Sequence, residues 1–255
     1  MRRSVWAMGW SAAAGLGAFA VALAAFAPAT LIDALLENAS EGKLRLVEAR
    51  GSLWSGAGWI EIRDAQGRAG VARRLAWRVL PESLLRGRLV AEVELDQAAK
   101  PFPVSLSLSR LEIADAGITL PAAALGLGVP RLAPFRLTGE LRVSIAHLSL
   151  ERGRVDADAT LQWRAAGSAL TPVSPLGEYE VRFKASGSRM QTVLSTLTGP
   201  LQLDGNGTWS ESAAPSFLVT ARIPAPQQEQ LAPLFRLIAV ERSAGMFELQ
   251  LMGQI

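Results

Sequence analysis

The sequence predicts a mainly β protein. It has one N-terminal transmembrane helix, followed by a large, mostly antiparallel curved sheet or sandwich with a few short helices. Three observations carry this reading. From Ser4 to Ile32 no residue is charged, and Asp33 is the first acid. Beyond Lys43 apolar and polar residues alternate in one run after another, the signature of half-buried strands. Strand follows strand without the long intervening helices that a parallel α/β sheet requires, and the alternation marks a sheet with one wet face.

The elements follow in order. Residues 1–4 form a short cytoplasmic tail, Val5–Ala29 the signal-anchor helix, and residues 30–255 one β-rich domain. A helix crosses the hydrocarbon core with about 20 apolar residues, and this run is long enough. Arg2 and Arg3 are the cations on its leading side, so the positive-inside rule keeps them in the cytoplasm and sends residues 30–255 across. The competing reading is a cleaved signal peptide ending in the small residues around Ala27 and Ala29. Its apolar region would run about 7–15 residues, shorter than this one, and Pro28 opposes a cut after Ala27. Gly9, Ala13 and Gly17 recur every four residues and permit close helix packing; an Ala/Gly-rich span gives the same spacing by composition.

Past the anchor, Leu31–Glu37 predicts a short helix with Leu31, Leu35 and Leu36 on one side. Lys43–Glu48 and Trp59–Arg63 alternate as strands, and Gly51 and Gly56 bracket a Trp54-bearing strand. Leu75–Leu80 is a strand, Pro81–Leu85 a helical turn with proline at its start, and Leu89–Leu95 and Val104–Leu111 alternate again. Ile118–Leu120 leads into a helical turn at Pro121–Leu127. Phe135–Leu150 and Val155–Trp163 form a hairpin about Arg152-Gly153. After the proline-rich break Thr171–Pro175 come Tyr179–Ala185, Val193–Leu203 and Phe217–Ile223. Gly205-x-Gly207 reads as a turn or bulge. Gln227–Val240 predicts a helix with Leu231, Leu234, Phe235 and Ile238 on one face, and Phe247–Leu251 the last strand. The total is about eleven to thirteen strands. Leu75-Ala76-Trp77-Arg78 has an echo in Leu161-Gln162-Trp163-Arg164, which two structural halves or coincidence would both produce.

Composition removes several function classes. The chain has no cysteine and one histidine, His147, so disulfides, a thiol nucleophile and cysteine metal sites are excluded. The net charge is +3, two units of which are Arg2 and Arg3. No run of Lys or Arg marks a nucleic-acid surface. Arg73-Arg74 and Arg86-x-Arg88 are the densest basic spots and read as solvated strand ends, with a lipid-headgroup site as the alternative. No hydrolase elbow, zinc motif, P-loop or dinucleotide fingerprint occurs, so no catalytic, metal or cofactor residue is assigned. Trp54, Trp59, Trp77, Trp163 and Trp209 read as packing groups of the sheet; lining an apolar groove is the alternative.

A set of short motifs then resembles a known family, the type II secretion system protein N family. In order they are Gly51-x-Leu53-Trp54-Ser55-Gly56, Trp77, Trp163, Pro175-Leu176-Gly177-x-Tyr179, Gly199-Pro200-Leu201 and Gly205-x-Gly207-x-Trp209. The resemblance spans nearly the whole chain. It implies a non-enzymatic, single-pass inner-membrane protein of Gram-negative bacteria with a periplasmic domain. Such a protein supports export of folded proteins from periplasm to exterior. Implied partners are the inner membrane, the other inner-membrane platform proteins and, as a further candidate, the outer-membrane secretin. That family is in turn similar to AsmA-like proteins, which implies, as the alternative, a periplasmic groove binding lipid or another hydrophobe. Neither likeness implies an active site or a cofactor.

Overall fold

The computed structural model describes residues 22–252, apart from 24, 65–66, 68, 99, 129, 211–212 and 237–238. Most of the predicted helix Val5–Ala29, including Gly9, Ala13 and Gly17, lies outside the described residues, as does the tail 1–4. Its C-terminal boundary is corrected. Ala27, Pro28 and Ala29 have left the helix, and Pro28 bridges Ser52 in antiparallel fashion. The Leu53 amide donates to the Ala27 carbonyl at 2.8 Å and the Ala29 amide to Gly51 at 3.3 Å. Proline at 28 explains the break, because it disfavours helix at the residue before it. Among the described residues no helix is long and apolar enough to cross a membrane.

The domain is one antiparallel sheet of 14 strands, and the sandwich alternative falls away. The strands are β1 (Leu44–Gly51), β2 (Ser55–Arg63), β3 (Ala69–Leu80), β4 (Leu89–Leu95), β5 (Phe102–Leu106), β6 (Arg110–Pro121) and β7 (Leu137–Glu151). They continue as β8 (Arg154–Ser168), β9 (Gly177–Gly187), β10 (Arg189–Thr198), β11 (Gln202–Ser210), β12 (Ala213–Arg222), β13 (Val240–Ser243) and β14 (Met246–Met252). Each pairs with its neighbour in sequence, except that β14 lies between β12 and β13. Register breaks at Glu48 and Ala165 coincide with positive φ at each; such bulges bend a strand and raise its twist.

The register aligns the apolar positions of successive strands. Ile113 faces Leu148, Val143 faces Leu161, Leu161 faces Val181, Val181 faces Leu194 and Leu194 faces Gly205. Toward the other edge Val104 faces Ile113, Ala91 faces Val104 and Val79 faces Ala91. One face is therefore apolar from β1 to β14. The opposite face carries charge pairs such as Lys184–Asp158 at 3.7 Å and Arg182–Glu180 at 2.6 Å.

Two helices cover the ends of the apolar face. Helix α1 (Thr30–Ala39) lays Ile32 and Leu36 against Leu46, Leu75 and Trp77. It is fixed by Asp33, which accepts from Arg45 Nε at 3.0 Å, Arg45 Nη2 at 2.9 Å and the Leu46 amide at 2.8 Å. Helix α3 (Gln228–Phe235) seats Leu231 and Phe235 on Phe247, Ala221 and Ile223, with Leu176 and Leu201 completing the cluster. Between them, α2 (Leu125–Gly128) and its flanking 3-10 turns form the β6–β7 connection, which reaches back to lay Leu127 against Gly70.

Several sequence expectations change. Leu53 and Trp54 occupy the β1–β2 connection, not a strand. Val193–Leu203 is two strands, because Gly199, at φ 122°, and Pro200 turn the chain. Gly205 and Gly207 lie inside β11, not in a turn: a Cβ on Gly207 would sit 2.5 Å from the Phe217 ring and 2.9 Å from Trp209. The last helix stops at Phe235, and Val240–Ser243 becomes β13, which satisfies the open edge of β14. Leu231 and Phe235 are in the core as expected; Ile238 lies outside the described residues. Trp77 and Trp163 stand at opposite ends of their sheet positions, so their local echo is not a structural repeat.

Leu231 is wholly buried, so Leu231→Ala should destabilise the domain by about 2–5 kcal/mol in denaturant titration. The Arg45 hydrogen bond, aided by the Leu46 amide, holds the Asp33 carboxyl below the ordinary aspartate range. A depressed carboxylate contributes stability that is present above its unfolded pKa of about 3.9 and is lost as pH falls through the folded value. Asp33→Asn should remove that acid-limb loss, read as a flatter stability profile below about pH 4.

Candidate functional site

The motif residues resolve into three groups, each locking backbone to backbone. The first closes the β1–β2 end. Gly51 has φ 97°, and Gly56 lies under the Trp77 ring, where a Cβ would meet it at 2.5 Å. Trp77 is buried, and its Nε1 donates to the Leu53 carbonyl at 3.1 Å. Ser52 Oγ accepts from the Trp54 and Ser55 amides at 3.2 and 3.3 Å, and the Val79 amide donates to the Trp54 carbonyl at 2.7 Å. Trp54 itself is half-buried and outside the core, and lies in the connection instead of the strand the sequence suggested.

The second group closes the far end of β7–β11. Tyr179 is buried and its hydroxyl donates toward the Leu176 and Leu201 carbonyls at 3.1 and 3.0 Å. Burial pushes that phenol far above its ordinary range, so it stays a donor. Trp163 stacks at a tilt on Tyr179, centroids 5.9 Å apart, and its Nε1 donates to the Thr138 carbonyl at 2.9 Å. Pro175 follows a cis peptide bond. Gly177 and Gly199 are so close that a Cβ on either would strike the other's segment, which Pro200 and buried Leu201 hold in place. The third group is Gly205, Gly207 and Trp209, where Gly207 leaves room for the Trp209 and Phe217 rings, stacked 6.1 Å apart, and Gly205 lies against Val219 and Leu194.

None of these residues forms a reactive cluster. His147 stands on the polar face, half exposed, with Nε2 3.5 Å from Asp156 Oδ1. Among the described residues no group of three or more His, Asp or Glu side chains could hold a metal ion. The surface with a distinct chemistry is the apolar face. Between the helical covers, Val143, Ile145, Leu161, Val181, Phe183 and Leu194 are each half-exposed. Thr192 adds a buried hydroxyl with no hydrogen-bond partner, between Phe183 and Gly207 on that face. Of the tryptophans, Trp77, Trp163 and Trp209 lie on the apolar face, whereas Trp59 is exposed on the other. Packing and groove lining thus both describe part of the set. The sequence alternation already held this face; its continuity across strands depends on register, and Thr192 gave no signal at all.

Replacing Tyr179 by Phe leaves two carbonyls without that donor, which should cost about 1–3 kcal/mol, measured by thermal or chemical unfolding. Trp54→Ala should cost less than Trp77→Ala in the same assay, because only Trp77 is buried.

No curated protein and no solved structure matches this chain. A family model does: Type II secretion system (T2SS), protein N, over residues 42–250. That range contains every strand start from β1 to β14 and all three locking groups. The chain belongs to the type II secretion system protein N family.

Proposed function

We propose that the protein is a non-enzymatic inner-membrane component of the type II secretion system. It is held by a single N-terminal span that begins at Val5 and ends before Ala27, with its sheet domain in the periplasm. The observation that carries this reading is the family match along the whole sheet. Family membership makes it a type II secretion component associated with others of that machine. The uncharged run from Ser4 to Ile32 behind Arg2 and Arg3 supports the span and its orientation. The partners we favour are the inner-membrane platform proteins, with the outer-membrane secretin as a further candidate.

The half-exposed apolar face favours a second reading, in which the sheet holds an acyl chain or another hydrophobe, as an AsmA-like groove would. The run of aliphatic side chains supplies the contact area, and the Thr192 hydroxyl one polar group.

Cells lacking the chain should accumulate secreted enzymes in the periplasm; undiminished export would count against a required role. For the second reading, a phospholipid with a photoactivatable acyl chain should crosslink to β8–β10 of the membrane-bound protein, and Val181→Asp should lower the yield severalfold. Crosslinks confined to the charged face would sink it.

A further inference from the structure

Three connections share one end of the first six strands. Register places there the β1–β2 connection at Ser52–Trp54, the β3–β4 connection at Pro81–Arg88 and the β5–β6 connection at Ser107–Ser109. Strands lie about 4.8 Å apart, so these tips fall within roughly 20 Å along the sheet edge. The chain from the apolar N-terminal segment enters at this same end, through Ala27 against Leu53.

The tips are apolar, and the backbone holds them so. Leu85 is 91 % exposed and Leu108 wholly so, with Leu84 and Leu106 also exposed; Phe26 at the entry point is 85 % exposed. Slack does not explain it. Ser83 is buried, its Oγ donating to the Leu80 carbonyl at 2.6 Å and accepting from the Val90 amide at 3.0 Å. Gly87 caps the turn in the left-handed region, its amide donating to the Leu84 carbonyl at 2.9 Å. The Ser107 amide donates to the Arg110 carbonyl at 2.8 Å, which throws Leu108 outward. A rigid turn that presents leucine to water calls for an apolar partner.

Charge narrows the partner. Arg86 and Arg88 follow the exposed leucines directly, and Arg50 ends β1 at the same edge. All three are exposed, and among the described residues none makes an ion pair. Glu82 is the one acid within Pro81–Arg88. At the opposite end of these strands the connections carry Asp64, Asp96, Gln97 and Lys100 instead. Leucine tips flanked by arginines fit an acyl layer below anionic phosphates.

We propose that this end of the sheet docks on the surface of an anionic lipid bilayer. Leu84, Leu85 and Leu108 enter the interface, and Arg86 and Arg88 contact the headgroups. The proposal rests on the apolar segment before Ala27 being embedded in that same bilayer. It reverses the first reading of Arg86-x-Arg88 as a solvated strand end. It also turns one end of the apolar face toward lipid.

The chain has no cysteine, so single labels are unambiguous. The full chain carrying Leu85→Cys, Leu108→Cys or Lys100→Cys, each bearing an environment-sensitive fluorophore, is reconstituted into vesicles of phosphatidylethanolamine and phosphatidylglycerol. Lipids with a nitroxide near the headgroup should quench the labels at 85 and 108 and leave that at 100 bright. Dark-to-quencher labels at 85 and 108 on protein that floats with the vesicles would overturn the docking and leave the anchor standing. Protein that fails to float would overturn both. Equal quenching in wholly zwitterionic vesicles, or with Arg86→Glu and Arg88→Glu combined, would remove the arginines from the headgroup contact.

Discussion

A sheet that is apolar on one face only cannot stand bare in water, and this constraint shapes the rest of the molecule. Burial of apolar area is the main favourable term in folding, yet fourteen strands in one layer offer nothing opposite. The chain answers at the two ends. Helix α1 sits over β1–β3 and α3 over β11–β14, and the largest wholly buried side chains among the described residues, Phe247 and Leu231, belong to the second cover. In the middle, side chains such as Val143, Leu161, Val181 and Leu194 stay half-exposed. The bulges at Glu48 and Ala165 bend and twist their own strands.

Ends of strands pose the second problem, because backbone groups there lose their ladder partners. The family motifs answer it. Trp77, Trp163 and Tyr179 are large apolar side chains with one polar atom each; Trp77 and Tyr179 aim it at carbonyls in connections, and Trp163 at the Thr138 carbonyl near the start of β7. Gly51, Gly56, Gly177 and Gly199 permit the close approach this needs. A side chain of the same size without the polar tip would fill the space and leave the carbonyl orphaned. The motifs thus read as closure devices of the sheet, which accounts for their lack of reactive neighbours.

Much of this was legible in advance. Alternation located most strands, and the glycine, proline and aromatic spacing pointed to the residues that close the ends. What was not legible is what neighbours decide. Gly205 and Gly207 look like a turn in sequence, but pairing with β10 and β12 makes them strand residues, and the rings of Trp209 and Phe217 account for the missing side chain at Gly207. Val240 continues a helical pattern, but the unpaired edge of β14 takes it as a strand. Trp54 and Trp77 are alike on paper; one sits in a connection and the other under a helix. The one-sidedness of the whole sheet needed fourteen registers to agree, and no single stretch contains that information.

The entry of the chain at Ala27–Ala29 has a mechanical meaning. Backbone hydrogen bonds to Gly51 and Leu53, and the bridge from Pro28 to Ser52, join the incoming segment to the first hairpin without a flexible tether. Residues 27–29 and the first hairpin therefore turn together, and a load on the long edge of the sheet reaches them as a torque and not as slack being taken up. Residues 27–29 are hafted to the domain, so the chain's path at that joint is set by the first hairpin.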